Sequence, residues 1–204
     1  MGIQERKERE KAHMRQMILE TALAIFQAEG FDKVSVRAIA DRIEYSPATL
    51  YLYFKNKDDI FYALHEEGFR RFIEYQRRAD VLDDPAQRLK KMGQDYLNFA
   101  VENPEYYDLM FIMAAPMREV SQEWSCGKEA FENLVKGVQD CLESGQILSG
   151  NVHTVSLGIW AFVHGLASLL LRGRLQIIPE EQREKAIEAA LEYLDALLTH
   201  RPGR

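Results

Sequence analysis

Apolar residues recur at steps of three and four along most of this chain, which is the period of one buried helix face. The pattern predicts an all-α fold of about nine helices. The first covers residues 5–29, with a stripe of Met17, Ile18, Ala22, Ile25 and Phe26, and stops at Gly30. Glycine is the usual residue just past a helix C-terminus. A second helix follows Ser35, with Val36, Ile39, Ala40 and Ile43 in register. A third starts at Ser46 and Pro47 and reaches Phe54, so that Leu50 and Phe54 share a face. Serine caps well, and proline at the first helical position loses no hydrogen bond. Only Glu44 and Tyr45 separate the second helix from the third. So short a link forces a sharp angle, as in a helix-turn-helix.

Longer helices follow. Asn56 is placed to cap a fourth over residues 57–78, with Ile60, Phe61, Leu64, Gly68, Phe72 and Tyr75 on one face. Asp84 and Pro85 open a fifth over residues 85–102, and Asn103-Pro104 breaks it. A short apolar sixth covers residues 105–115, a loop covers 116–121, and a seventh covers 122–144, stopped by Gly145. The eighth, residues 152–172, is the most apolar in the chain, and the ninth covers 179–199. No apolar run is expected to span a bilayer, because the eighth is short and interrupted by small residues and His164.

The outward face of the third helix carries candidate chemistry. If Leu50 and Phe54 point inward, then Ala48, Thr49, Tyr51, Leu52 and Tyr53 cannot all follow. Small residues at its start permit close approach, and phenol and hydroxyl groups donate to phosphate oxygens. Lys55 and Lys57 follow at once with matching charge. This fits a recognition helix entering a major groove; the alternative is a helical hairpin packed in an ordinary core. Ser35 is first a cap, at a helix N-terminus of the kind that also binds phosphate. Arg37 either faces nucleic acid or pairs with Asp41, four residues on.

The run Thr49-Leu50-Tyr51-x-Tyr53-Phe54-x-x-Lys57, preceded by Ile39-Ala40 and Ser46, resembles the N-terminal domain of tetracycline-repressor (TetR) family regulators over residues 14–64. The resemblance implies a helix-turn-helix domain of residues 1–56 that binds duplex DNA. Ser35, Arg37, Ser46, Pro47, Ala48, Thr49, Tyr51, Leu52, Tyr53 and Lys57 would then lie at the DNA. It also implies that the residue at 37 reaches a base edge. Arginine on guanine discriminates by roughly 1–3 kcal/mol. The third helix is poor in base-reading groups, so Arg37 is expected to be the main polar base contact, with shape and thymine methyls read by the rest. One departure stands out: many members carry glycine where this chain has Glu44. In a left-handed conformation glutamate there costs about 1–2 kcal/mol relative to glycine.

Composition narrows the picture. With 47% hydrophobic and 28% charged residues the chain is of the globular type. The net charge of −6 argues against indiscriminate nucleic-acid binding. Residues 1–60 hold ten basic and ten acidic side chains, leaving 16 basic and 22 acidic in the rest. DNA affinity must therefore come from a local patch. The charged half of the first helix, with Arg6, Lys7, Arg9, Lys11 and Arg15, is either a basic arm or a solvated terminus. The charged N-terminus lacks a signal peptide's apolar core, and a cytoplasmic protein is expected. Cys126 and Cys141 form no disulfide framework, and no histidine has metal-ligand spacing with them. No metal or cofactor is expected, and no phosphate loop or nucleophile elbow suggests an enzyme.

Residues 57–204 are expected to form a ligand-binding and dimerisation domain, as the resemblance implies. Trp160, His164 and Gly165 resemble the Trp-His-Gly signature of one class of C-terminal domains in the family. The candidate pocket for a small hydrophobic effector is Tyr96, Phe99, Met110, Met113, Trp124, Phe131, Trp160 and His164. Methionine suits adaptable apolar pockets, although each residue also fits an ordinary core, and His164 fits a satisfied core histidine. Gly158, Ala161, Gly165 and Ser168 make a smooth strip on the eighth helix, and Ile187, Leu191, Leu194 and Leu198 a stripe on the ninth. Paired with their copies, the two helices would form a four-helix homodimer interface; alternatively both pack within one subunit. The resulting expectation is a repressor, released by its effector from a palindromic operator.

Overall fold

The computed structural model describes residues 2–113, 125–147 and 150–199, and every regular element among them is helical. In order these are α1 (Ile3–Glu29), α2 (Val36–Arg42), α3 (Pro47–Leu50), α4 (Lys57–Arg77), α5 (Pro85–Glu102), α6 (Pro104–Tyr107), α7 (Ser125–Glu143), α8 (Val152–Leu171) and α9 (Glu180–Thr199). The expected loop at 116–121 and the expected start of the seventh helix lie outside the described residues. Two compact units result. The first takes the chain up to Gly68 together with Asp108 to Met113; the second takes Phe69 to Tyr107 and the described residues from Ser125 onward. The division falls inside α4. The physical reason is that Ile60, Phe61 and Leu64 on the first turns of α4 are fully buried in the first unit.

In the first unit, Ile18, Ala22 and Ile25 of α1 are buried together with Ile39 of α2 and Leu50 of α3. Phe61 makes edge contacts with Phe26 and Phe31, at centroid distances of 5.9 and 4.7 Å. Each short helix has its cap. Ser35 Oγ accepts from Ala38 N at 3.0 Å, and Ser46 Oγ accepts from Thr49 N at 3.2 Å. Asn56 Oδ1 accepts from Asp59 N at 2.8 Å. The exit from α2 is a Schellman turn, in which Tyr45 N donates to Ala40 O at 3.0 Å and Glu44 stands in the left-handed position with φ of 60°. The same turn ends α7, where Gly145 has φ of 71° and Gln146 N donates to Cys141 O at 2.9 Å. The helix-turn-helix thus places a glutamate where α7 places a glycine.

Past Tyr107 the chain enters a π-helical turn, Asp108–Ile112, closed by Met113 N donating to Asp108 O at 2.9 Å. The expected single sixth helix is thus one α-helical turn followed by a wider one. Nearby in the first unit, His65 is buried, with Nδ1 2.9 Å from Phe61 O. Its Nε2 meets no acceptor in good hydrogen-bond geometry, so a second ring proton there would be buried and poorly paired. Burial lowers the His65 pKa from 6.5, against the pull of the Phe61 and Leu109 carbonyls.

The second unit is built on α5. Asp84 caps it through Gln87 N at 2.8 Å, and Gln146, delivered by the Schellman turn of α7, bonds Asp84 and Ala86 N at 2.7 and 3.1 Å. Arg88 pairs with Asp140 of α7 at 2.9 Å and donates to the Leu82 and Asp83 carbonyls. Leu89, Val138, Cys141, Ile147 and Ile159 form an aliphatic core. An aromatic layer continues it, with Phe72 5.3 Å from Tyr96 and 5.2 Å from Phe99. Contrary to expectation, α8 is long and apolar enough to cross a bilayer by length and composition. One line of it, Ser156, Ile159, Val163 and Ala167, is buried in this unit.

Two measurements check these points. Glu44→Gly should raise stability by about 1 kcal/mol, read as a higher urea midpoint. The depressed His65 pKa means that its neutral form stabilises the fold fully above pH 6.5, and that this is lost as pH falls through the lower folded value. The urea midpoint should therefore drop on acidification through that window, and drop less in His65→Met.

Candidate nucleic-acid interface

Burying Leu50 and Phe54 fixes which way the third helix turns. Regular α-helix ends at Leu50, earlier than the pattern predicts, and the chain goes on as tight turns: Leu52 N donates to Thr49 O, and both Tyr53 N and Phe54 N donate to Leu50 O. The outward set survives this change. Tyr51 is 56% and Leu52 78% exposed, Ala48 is exposed, and Pro47, Thr49 and Tyr53 are half-buried. Ser46 and Thr49 share a hydroxyl bond of 2.9 Å, which fixes both side chains at the start of the helix.

Arg37 is exposed on α2. Among the described residues it forms no ion pair with Asp41 or any other acid; Arg42 is instead the α2 residue that pairs, with Glu29 at 3.0 Å. Ser35, at the same end of α2, is occupied as a cap. Lys57 is less free than the sequence suggests. Its ammonium donates to Phe31 O at 2.5 Å and lies 3.6 Å from the centroid of the Phe31 ring. Burial lowers its pKa, with Asp32 and Asp58 opposing. Two further N–H bonds remain on that ammonium. Arg15, one of the basic residues of the charged half of the first helix, lies over the Phe54 ring at 4.3 Å.

The second unit gathers part of the expected effector pocket. His164 Nδ1 lies 3.1 Å from the Tyr96 hydroxyl and 2.9 Å from that of Tyr107, and Tyr107 also donates to the His164 carbonyl at 3.2 Å. Trp160 stands 6.0 Å from Phe131 and 6.4 Å from the His164 ring. Burial lowers the His164 pKa. Burial, reinforced by Tyr107, keeps the Tyr96 phenol far above its ordinary value. Tyr96, Phe131, Trp160 and His164 therefore come together. Tyr107, absent from the expected set, joins them, and its signal was a buried phenol's need for a partner.

The other pocket candidates go elsewhere. Phe99 is sealed in the core against Phe72 and Tyr75; Met110 and Met113 belong to the first unit; Trp124 lies outside the described residues. A separate aliphatic cleft of about 40 Å³ opens among α5, α7, α8 and α9, beside Gly93, Cys141 and Leu194. Burial pushes the Cys141 thiol up to about 11.

The interface strip on α8 faces out at Gly158 and Ala161, with Gly165 and Ser168 half-buried; a side-chain carbon added at Gly158 or Gly165 meets nothing. The α9 stripe packs partly within the chain. Leu191 is buried, Leu194 and Leu198 pack on the aliphatic core, and Ile187 is half-buried. Those leucines are held within the chain because α9 lies across that core. The outward apolar residues of α9 are Tyr193 and Leu197.

A family model described as "Bacterial regulatory proteins, tetR family" matches residues 18–64. A second, "Tetracyclin repressor-like, C-terminal domain", matches residues 89–194. Over 128 residues the chain is 34% identical to the HTH-type transcriptional repressor KstR of Mycobacterium tuberculosis, covering 60% of this chain and 56% of that one. It is 28% identical over 110 residues to a probable acrEF/envCD operon repressor of Escherichia coli K12, covering 53% and 50%. The chain thus spans about half the length of these curated relatives. Among solved structures, a protein of unknown function from Rhodococcus sp. RHA1 aligns with a TM-score of 0.77 at 24% identity, over 91% of this chain and 95% of that one. The TetR family regulator PfmR of Thermus thermophilus aligns at 0.68 and 21%, over 92% and 96%. At these identities the structural likeness establishes the fold.

The His164 cluster is testable by stability. Tyr107→Phe removes the donor to the His164 carbonyl and should cost about 1–3 kcal/mol, the usual range for a buried group left unpaired, read by urea denaturation.

Proposed function

The chain belongs to the tetR family of bacterial regulatory proteins, and from that premise we propose that it is a cytoplasmic repressor that binds a palindromic operator as a homodimer and leaves it when a small hydrophobic effector binds. No catalytic step is part of this reading. The observation that carries it is the exposed set Ala48, Tyr51 and Leu52 on the capped segment Ser46–Phe54, together with an exposed Arg37 that pairs with no acid among the described residues. Such a surface suits a major groove: apolar groups for thymine methyls, hydroxyls for phosphates, and one guanidinium for a base edge. Ser35, Ser46, Pro47, Thr49 and Tyr53 support the close approach, and Lys57 offers phosphate its remaining donors.

Two copies would pair through the outward strip of α8, Gly158, Ala161, Gly165 and Ser168, with Leu157 and Leu169 alongside, and through Tyr193 and Leu197 of α9. A two-fold pair reads half-sites one duplex turn apart, roughly 34–36 Å, or further on a longer operator. The effector is assigned to the neighbourhood of Trp160, Phe131 and His164, where aromatic faces and a hydrogen-bonding ring lie together. An effector releases DNA only by favouring the state that cannot bind it, and α4, which contributes residues to both units, is the element on which that bias would act.

Electrophoretic mobility shift with the duplex upstream of its own reading frame tests the reading. Binding that weakens steeply with salt supports it; a protein that shifts no duplex in dilute salt is instead a ligand-binding adaptor. Arg37→Ala should lower discrimination between operator and random DNA by about 1–3 kcal/mol, measured as the ratio of the two dissociation constants. An unchanged ratio would mean that Arg37 reads no base.

A further inference from the structure

Arg15 lies outside the recognition segment, yet its guanidinium rests 4.3 Å from the centroid of the Phe54 ring, the residue that closes that segment. Among the described residues it forms no ion pair, whereas Arg6 on the same helix is paired with Glu10 at 3.5 Å. A guanidinium carries five N–H donors, and a phenylalanine ring offers them no lone-pair acceptor. The ring therefore holds the cation in place without using its hydrogen bonds. Lys57, at the other side of Phe54 in sequence, is anchored differently: it gives one N–H to the Phe31 carbonyl and sits over the Phe31 ring. Two cations are thus fixed on aromatic rings at the end of the segment that carries Tyr51 and Leu52, and Arg15 keeps the larger set of donors.

We propose that Arg15 is a DNA-backbone contact, held ready by Phe54 to grip a phosphate when the Ser46–Phe54 segment enters the groove. This rests on the DNA-binding reading above and adds a residue to it. A planar fork of N–H groups matches phosphate oxygens in pairs, which a lysine ammonium does not. The contact is blind to sequence, because it reaches the backbone and not the bases.

The test uses the full chain with a short random-sequence duplex and with a duplex selected for binding, each titrated over a range of salt. Arg15→Met keeps an unbranched side chain over Phe54 and removes the charge. It should weaken both duplexes by the same factor and reduce the slope of log affinity against log salt by about 0.9 per subunit, with the ratio between duplexes unchanged. Arg15→Lys should keep the slope with lower affinity, because the charge stays and the fork goes. A slope unaltered in Arg15→Met overturns the proposal. So does a loss of affinity that merely follows a fallen melting midpoint, since a residue that only covers Phe54 would act that way. Should Arg15→Met not fold, Arg15→Gln is read by the same slope. If the unaltered protein binds neither duplex in dilute salt, it is the DNA reading that fails; if it binds and only the slope prediction fails, Arg15 alone is misassigned.

Discussion

The burial of Leu50 and Phe54 on one side of a very short helix is the constraint from which the rest of the interface follows. Two side chains four residues apart, both sunk in the first unit, leave the backbone between them a single rotation. That rotation turns Ala48, Tyr51 and Leu52 outward. An isolated helix of four residues would not survive in water, since nucleation is unfavourable. Here the Ser46 cap, Pro47 and the two buried anchors hold it. The strain at Glu44 belongs to the same arrangement. The Schellman turn needs a left-handed residue at that corner, and the tertiary packing around it enforces the conformation although glutamate resists it.

Polar groups play a comparable part in the second unit. Arg88 ties α5 to α7 and to the chain ahead of α5, and its partner Asp140 is only partly exposed. Geometry of this kind contributes more than an ordinary surface pair. The His164 cluster has a different character. Two phenols converge on one imidazole nitrogen, which has one lone pair in the neutral ring. When the Tyr96 hydroxyl occupies it, Tyr107 donates instead to the His164 carbonyl. The Nδ1 and the carbonyl of His164 thus both have partners within the cluster. This also leaves the aromatic faces of Trp160 and Phe131 as the more adaptable part of any effector site.

Much of this was legible in the sequence because it is local. Caps, helix stops and the Leu50–Phe54 spacing are written within a few residues, and Ser35, Ser46, Asn56, Asp84 and Gly145 all act as their positions suggest. The turn at Glu44 could be anticipated from its place between two helical patterns. What could not be read was tertiary. Periodicity shows that Leu191, Leu194 and Leu198 share a face, but not whether that face meets its own chain or another copy. Methionine and aromatic content groups Phe99 with Met110, and composition carries no information on the different units to which they belong. Cation–ring pairs such as Arg15 with Phe54 join residues 39 positions apart, and no local pattern announces them. The divide between units within α4 is likewise invisible in an unbroken helical repeat.

The turn after α7 has a further consequence, for protein engineering. Connections between helices are usually the places where a chain accepts added residues. Here Gln146 serves at once as the exit from α7 and as a clasp on the start of α5. A tag, fluorescent domain or circularly permuted terminus introduced between Gly145 and Ile147 would unfasten a helix some sixty positions earlier. The α2–α3 corner is equally unsuited to insertion, because Tyr45 N closes the end of α2 on Ala40 O.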